Sequence, residues 1–279
     1  MIRVAASPAD FELGAEIYNE VSPDSTLSPA RAASSPGRTL LHGEDGFAYV
    51  DRSSIPGSAF AMVRVRPASR GRGVGTALLE AARAESRNGG FEQLWGRVHE
   101  PDAESLAFVA KRGFAERMRD MEVALRIAPG DGEQSPGIVE LTDDHLDGAY
   151  AVVVEAVPEM AVPMDAEAPP FDVWVERHKR GLAVAFVALD EGEVVGFAAV
   201  YADDGVPGRL ENGLTAVLKS HRRRGLALAL KRAEIAWAAE HGYTEMRTSS
   251  VEANIGMRAV NERLGYRPLP AWIVVEGAA

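Results

Sequence analysis

The chain has 279 residues, long enough for two compact domains, and its 46% hydrophobic and 25% charged content is that of globular sequence. It contains no cysteine, which excludes disulfides, thiolate metal sites and a cysteine acyl-enzyme; no metal is expected. The formal net charge is −11, with sixteen basic against seventeen acidic residues in 1–130 and fourteen against twenty-four in 131–279. This balance argues against nucleic acid as a partner and is compatible with a cationic acceptor such as an amine. With no long apolar run and no signal-like N-terminal segment, the expectation is a cytoplasmic protein without a membrane partner, monomeric or homodimeric.

In chain order, the first half carries a hairpin in LLHGEDGFAYVD at 40–51 and a strand in AFAMVRVRP at 59–67. The basic, glycine-rich loop RGRGVG at 70–75 follows, and then the helical run TALLEAARAE at 76–85. After the strand MEVALRI at 121–127, the Gly, Pro and acidic residues of 127–140 read as a linker. The second half opens with the strand GIVELT at 137–142 and a helix over 143–157, with Asp143 or Asp144 near its start. A proline-rich acidic stretch, PEMAVPMDAEAPP at 158–170, leads to a second helix in FDVWVERHKRG at 171–181. A hairpin over 183–204 turns at Glu191 and Gly192, and the strand RLENGLTAVLK spans 209–219. The loop RRRGLA at 222–227 precedes a helix ended by Gly242; the strand YTEMRTSS, a short helix over 254–265 and a closing strand over 266–277 complete the chain.

The two halves repeat. A shift of 152 residues places Arg70 on Arg222, Gly73 on Gly225, Gly90-Phe91 on Gly242-Tyr243 and Gly113-Phe114 on Gly265-Tyr266. Four landmarks in register without a gap indicate a tandem duplication. The predicted organisation is an N-terminal domain over 1–130, a linker over 131–136 and a C-terminal domain over 137–279. Each domain is expected to be α/β (α+β), with a twisted mixed central sheet and helices on both faces.

A strand, a glycine-rich basic loop and a helix form an arrangement that binds phosphates, because the first-turn N–H groups point outward at the positive end of the helix dipole. No lysine follows either loop as an ATP-binding P-loop requires, and Gly71, Gly73 and Gly75 lack the dinucleotide spacing. The residues instead resemble the acetyl-CoA loop of the GNAT superfamily of N-acetyltransferases, [QR]-x-x-G-x-[GA]. Arg70-x-x-Gly73-x-Gly75 fits it, and Arg222-x-x-Gly225-x-Ala227 fits its alanine form. Val65 and Val217 stand five residues before each Arg, and KRGF at 111–114 and RLGY at 263–266 match the downstream helix end. The second half also resembles a GNAT subgroup through Thr215, Val217, His221, Arg222, Leu226, Ala227, Lys231, Thr248, Asn254, Met257, Asn261, Leu264, Gly265 and Tyr266, with Ser250 departing from the pattern.

The resemblance implies tandem GNAT folds and acetyl-CoA as co-substrate. It implies contacts to CoA from Val65, Arg70, Gly71, Arg72, Gly73, Val74 and Gly75 in the first half. In the second, Val217, Arg222, Arg223, Arg224, Gly225, Leu226, Ala227 and Asn254 would make them. A bulge near Val217 would aim a backbone N–H at the thioester carbonyl. The base that takes the proton of an amine acceptor would be Glu211, on the strand before the second loop. The corresponding strand of the first half has no carboxylate, and His99 stands at the end of its next strand. The superfamily's usual acid is a Tyr four residues before the Gly of the Gly-Phe pair. That position holds Val109 in one half and Asn261 in the other; Asn261 can offer the leaving sulfur a hydrogen bond. The reading is thus an acetyl-CoA-dependent N-acetyltransferase acting on a small-molecule primary amine, with the C-terminal domain catalytic. A non-catalytic acyl-CoA-binding module and an acyltransferase for longer acyl chains are the alternatives.

Overall fold

Two helices in this chain start at a left-handed glycine, and these starts mark the loops already singled out. The computed structural model describes residues 2–22, 26–53, 57–159, 168–179, 181–203 and 205–279. In the first half these form β1 (Ile2–Val4), α1 (Pro8–Val21), α2 (Pro29–Ser34), β2 (Arg38–His42), β3 (Gly46–Arg52), β4 (Ser58–Val65), α3 (Val74–Asn88), β5 (Gln93–His99), α4 (Ala103–Ala110) and β6 (Ala115–Arg126). The second half continues with β7 (Ile138–Glu140), α5 (Leu146–Ala156), α6 (Phe171–Lys179), β8 (Leu182–Asp190), β9 (Glu193–Ala202), β10 (Arg209–Val217), α7 (Leu226–Glu240), β11 (Glu245–Val251), α8 (Ile255–Arg263), β12 (Arg267–Pro268) and β13 (Trp272–Ala278). Residues 160–167 of the proline-rich stretch lie outside the described residues.

Ser7, Asp102 and Asn254 cap α1, α4 and α8 by accepting a backbone N–H within the first turn. Helices α3 and α7 start instead at Gly73 and Gly225, with no side-chain cap. Their first N–H groups are left for another acceptor.

The chain divides into two compact units that are interleaved along the sequence. One comprises Met1–Arg119, Asp204–Val206 and Trp272–Ala279; the other comprises Asp120–Asp203 and Pro207–Ala271. The first unit's sheet runs β1-β2-β3-β4-β5-β13, antiparallel except for β4 beside β5. The second unit's runs β7-β8-β9-β10-β11 and then residues 120–126 of β6, antiparallel except for β10 beside β11. Each sheet is therefore completed by the closing strand of the other half: Trp272–Ala278 pairs along Gln93–His99, and Asp120–Arg126 pairs along Glu245–Val251. The closing strand expected over 266–277 is split, with Arg267 and Pro268 paired to β6 in the second unit.

Helices cover both faces of each sheet, as the alternation of apolar residues requires. In the first unit Leu40, Ala48, Val50, Leu78, Leu79 and Ala82 pack on the α3 side, while Ile17, Leu41 and Phe47 pack on the α1 side. In the second unit Leu210, Leu230, Ala233, Ala238 and Met246 form the α7 side. Val152, Val153, Trp174, Phe197, Ala199 and Ala216 form the side of α5 and α6.

Strand β13 contributes Ile273, Val274 and Val275 to the buried interior. At about 1.5–3 kcal/mol for each fully buried aliphatic side chain, their loss is comparable with the whole stability of a domain, about 5–15 kcal/mol. A chain ending at Ala271 should therefore lose the first unit. Hydrogen exchange should show collapse of amide protection in β3 to β5 and retention in β8 to β10.

Candidate active site

The two loops have the same backbone. Each strand ends at a valine, Val65 or Val217, passes through a single 3-10 turn, Pro67–Ser69 or Lys219–His221, and reaches a left-handed glycine: Gly73 at φ +84° or Gly225 at φ +84°. Two residues earlier a second left-handed position is filled by Gly71 at φ +73° in one loop and by Arg223 at φ +61° in the other. Such alternation turns successive N–H groups inward as an anion-binding nest. A non-glycine residue at φ +61° carries the steric cost of the left-handed region, which Arg223 bears without losing the loop's shape.

The side chains around the nests divide the labour. Arg70, Arg72 and Arg223 are exposed, and Arg70 lies 3.8 Å from Glu104. Arg222 Nε donates to the Val217 carbonyl at 3.0 Å, tying the loop back to its strand. Arg224 pairs with Asp190 at 2.8 Å, and His221 reaches the same carboxylate at 3.3 Å. Val74 is buried, Leu226 and Ala227 are half-buried, and a Cβ on Gly75 would lie 3.4 Å from the Phe108 ring. The Asn254 side-chain oxygen accepts from Met257 N at 3.1 Å, so this oxygen serves α8 as its cap; Asp102 does the same for α4.

Beyond each loop's strand the sheet opens. Strand β10 pairs with β11 only from Arg209–Glu245 to Glu211–Arg247, and β4 pairs with β5 only from Ser58 to Phe60. Here the units part. Strand β4 keeps one register with β3 throughout. Strand β10 shifts register against β9 between Asn212 and Thr215, where Gly213 and Leu214 oppose Ala199 alone. The bulge thus lies earlier than the position near Val217 inferred from sequence, and Val217 itself pairs regularly with Gly196.

The residue before Asn212 is Glu211. Leu210 packs on the α7 side, so Glu211, one residue on, points to the side of α5 and α6. Its side chain is 44% exposed, with Arg209 Nε 3.7 Å away. Arg209 is itself buried and held by Asp203 at 2.5 Å. Loss of solvent pushes the Glu211 carboxyl up to about 7; Asp203 and Glu122 add to the rise, and Arg209 and Arg247 oppose it. Opposite Glu211 stands Tyr201, whose hydroxyl lies 3.1 Å from His178 Nδ1. Asn261 is 2% exposed on α8, with its Oδ1 buried and without a hydrogen-bond partner among the described residues. His99 packs against Trp272, with the ring centroids 4.9 Å apart and the planes tilted by 34°.

Sequence reasoning passed over Glu234 and the contact surface of Lys231. Both face inward from α7 at 0% and 1% exposure. Asn212 Nδ2 donates to Glu234 Oε2, and Lys231 Nζ and the Tyr266 hydroxyl both donate to Asn212 Oδ1, each at 2.8 Å. Burial pushes Lys231 down and Glu234 up. The signal was available: LALALKRAEIAWAA is an apolar helix except at Lys231, Arg232 and Glu234, and two of these fall on the face of Leu230 and Ala233.

A sheet splayed beside a nest that opens a helix, twice in one chain, defines a class of acyl-transfer enzymes. The acetyltransferase (GNAT) family model matches residues 44–114 and 152–266; the chain belongs to this family and is a tandem GNAT acyltransferase. No protein of curated function matches in sequence. Among solved structures, a GCN5-related N-acetyltransferase from Sphaerobacter thermophilus is 17% identical, with a TM-score of 0.77 over 100% of this chain and 95% of that one. A tandem GNAT protein from the clavulanic acid biosynthesis pathway is 20% identical, with a TM-score of 0.78 over 100% of this chain and 98% of that one. At these identities the likeness is one of fold.

The nest geometry makes a direct prediction. Gly73→Ala and Gly225→Ala place a Cβ in the left-handed region at a cost of about 1–2 kcal/mol, and both should lower the urea midpoint of unfolding. Arg223→Gly removes the same cost and should raise the midpoint.

Proposed function

We propose that the chain transfers an acetyl group from acetyl-CoA directly to a small-molecule primary amine, and that the second unit carries the chemistry. The observation behind the choice of unit is the conjunction on β10: a carboxyl raised to about 7 at Glu211, followed within three residues by a bulge. At the corresponding positions the first unit has Ala59 and an unbroken register.

In this reading the nest from Arg222 to Ala227 holds the CoA pyrophosphate through its N–H groups, and the opened edge of β10 receives the pantetheine amides. An alkylamine with a pKa of about 10 enters mostly as its ammonium form. Glu211 takes a proton from it, and the nitrogen lone pair attacks the thioester carbon. The C–N bond forms, and negative charge gathers on the carbonyl oxygen, to which a bulge N–H donates. Collapse breaks the C–S bond, and the nitrogen's second proton passes to solvent, leaving a neutral amide. A thiolate with a pKa of about 8.5, taking cysteine as its model, departs with a hydrogen bond from the Asn261 amide in place of full proton transfer. The proton held by Glu211 passes to solvent. Acetyl-CoA is also proposed for the nest of the first unit, Arg70 to Gly75, and residues 131–136 are proposed as the joint of the duplication.

Two measurements test this. The value of log kcat, which reports groups in the enzyme–substrate complex, should climb with unit slope below pH 7 and level off above it, as Glu211 loses its proton. Glu211→Gln should lower kcat by about 10²–10⁴-fold and abolish that limb. Gly225→Glu, checked for fold by circular dichroism, should abolish turnover. If Gly73→Glu abolishes it and Gly225→Glu does not, the chemistry belongs to the first unit.

A further inference from the structure

Binding of CoA and deprotonation of an amine leave Lys231 and Glu234 without a task, although two ionisable side chains were taken out of water to place them there. Three hydrogen bonds converge on one side chain, Asn212: from Lys231 Nζ, from the Tyr266 hydroxyl and to Glu234 Oε2, each 2.8 Å. Lys231 Nζ also sits 5.2 Å above the Tyr266 ring. Asn212 is the last residue of β10 paired before the bulge, and its neighbour Glu211 projects from the opposite face. A residue fixed here constrains the backbone on both sides of itself. The first unit supplies the contrast, because Phe60, Leu79, Ala82 and Phe114 stand where the second has Asn212, Lys231, Glu234 and Tyr266. There β4 runs without a register shift. Network and bulge are present together in one unit and are both missing from the other.

We propose that Lys231, Glu234 and Tyr266 are positioning residues, which clamp Asn212 from the α7 side and thereby hold the bulge at Gly213–Leu214 and the Glu211 carboxylate in register for acyl transfer. The catalytic part of this rests on the acetyl-transfer reading above; the clamp itself does not. A polar cluster that merely fills the core would leave strand and rate unchanged once replaced by apolar side chains of fitting size.

The test is the double variant Lys231→Leu with Glu234→Ala, which installs the first unit's residues and leaves no orphaned charge. It should fold with an unfolding midpoint at or above that of the parent. Amide exchange at residues 212–215 should accelerate tenfold or more, while β8 keeps its protection. With an amine that the parent turns over, kcat should fall at least tenfold, with KM for acetyl-CoA within twofold. Parent-like exchange at 212–215 in the double variant overturns the clamp; faster exchange with an unchanged kcat overturns its catalytic role. If the double variant does not fold, Tyr266→Phe, again the first unit's residue, carries the same test, and parent-like exchange and kcat overturn the proposal. If the parent acetylates no amine, the acetyl-transfer reading fails, and the exchange measurement still decides the clamp.

Discussion

The parallel pairing of β10 and β11 stops where Glu211 meets Arg247, and the second unit is organised around that stop. Strands that part within a fold leave backbone donors and acceptors that something must satisfy. An extended ligand with amides of its own can do so; a closed sheet has no place for one. The extra residue at Gly213–Leu214 also changes which face each later side chain meets. Leu210 and Asn212 look toward α7 before it, as do Val217 and Thr215 after it, so odd and even positions exchange faces. A titrating carboxyl, a bulge and a diverging edge are thereby gathered within seven residues of one strand, from Glu211 to Val217.

The duplication shows what a shared backbone leaves free to vary. Both loops have glycine at φ +84° at the start of a 15-residue helix. The interiors behind them differ: Leu79 and Ala82 join an apolar cluster in the first unit, and Lys231 and Glu234 take their places in the second. Exchanging a buried polar group for an apolar one relieves desolvation and keeps the packing. The first unit has the less costly interior and the better-matched glycine loop; the second has charged groups where the strand bends.

Much of this was legible in the sequence, because it was local. Strand–loop–helix order, hairpins and the repeat of Gly73 in Gly225 follow from periodicity and turn residues that act over a few positions. Glu211 was legible as a carboxylate on the right strand. Its raised proton affinity was not, since that comes first from burial in the folded chain, and then from Asp203 on the far side of a turn and Glu122 on a distant strand. The bulge was misplaced for a similar reason: Gly213 signals a break in a strand, but only the pairing with β9 shows which residue is extra. The sheet partners of β6 and β13 were hidden altogether. Alternation in MEVALRI and WIVVEG specifies an inner and an outer face, and either sheet offers both.

That exchange of closing strands gives the chain a particular history each time it is made. The partner of Gln93–His99 is Trp272–Ala278, so the first unit's sheet waits for nearly all of the second half to be synthesised. At about 5–20 residues per second, the roughly 170 intervening residues take on the order of 10–30 s. Throughout that interval β5 offers an open edge with apolar neighbours, the kind of surface that recruits unrelated strands. The order of genes fused in a duplication thus becomes a delay in folding, and the early-made unit is the one that must be sheltered until the last strand arrives.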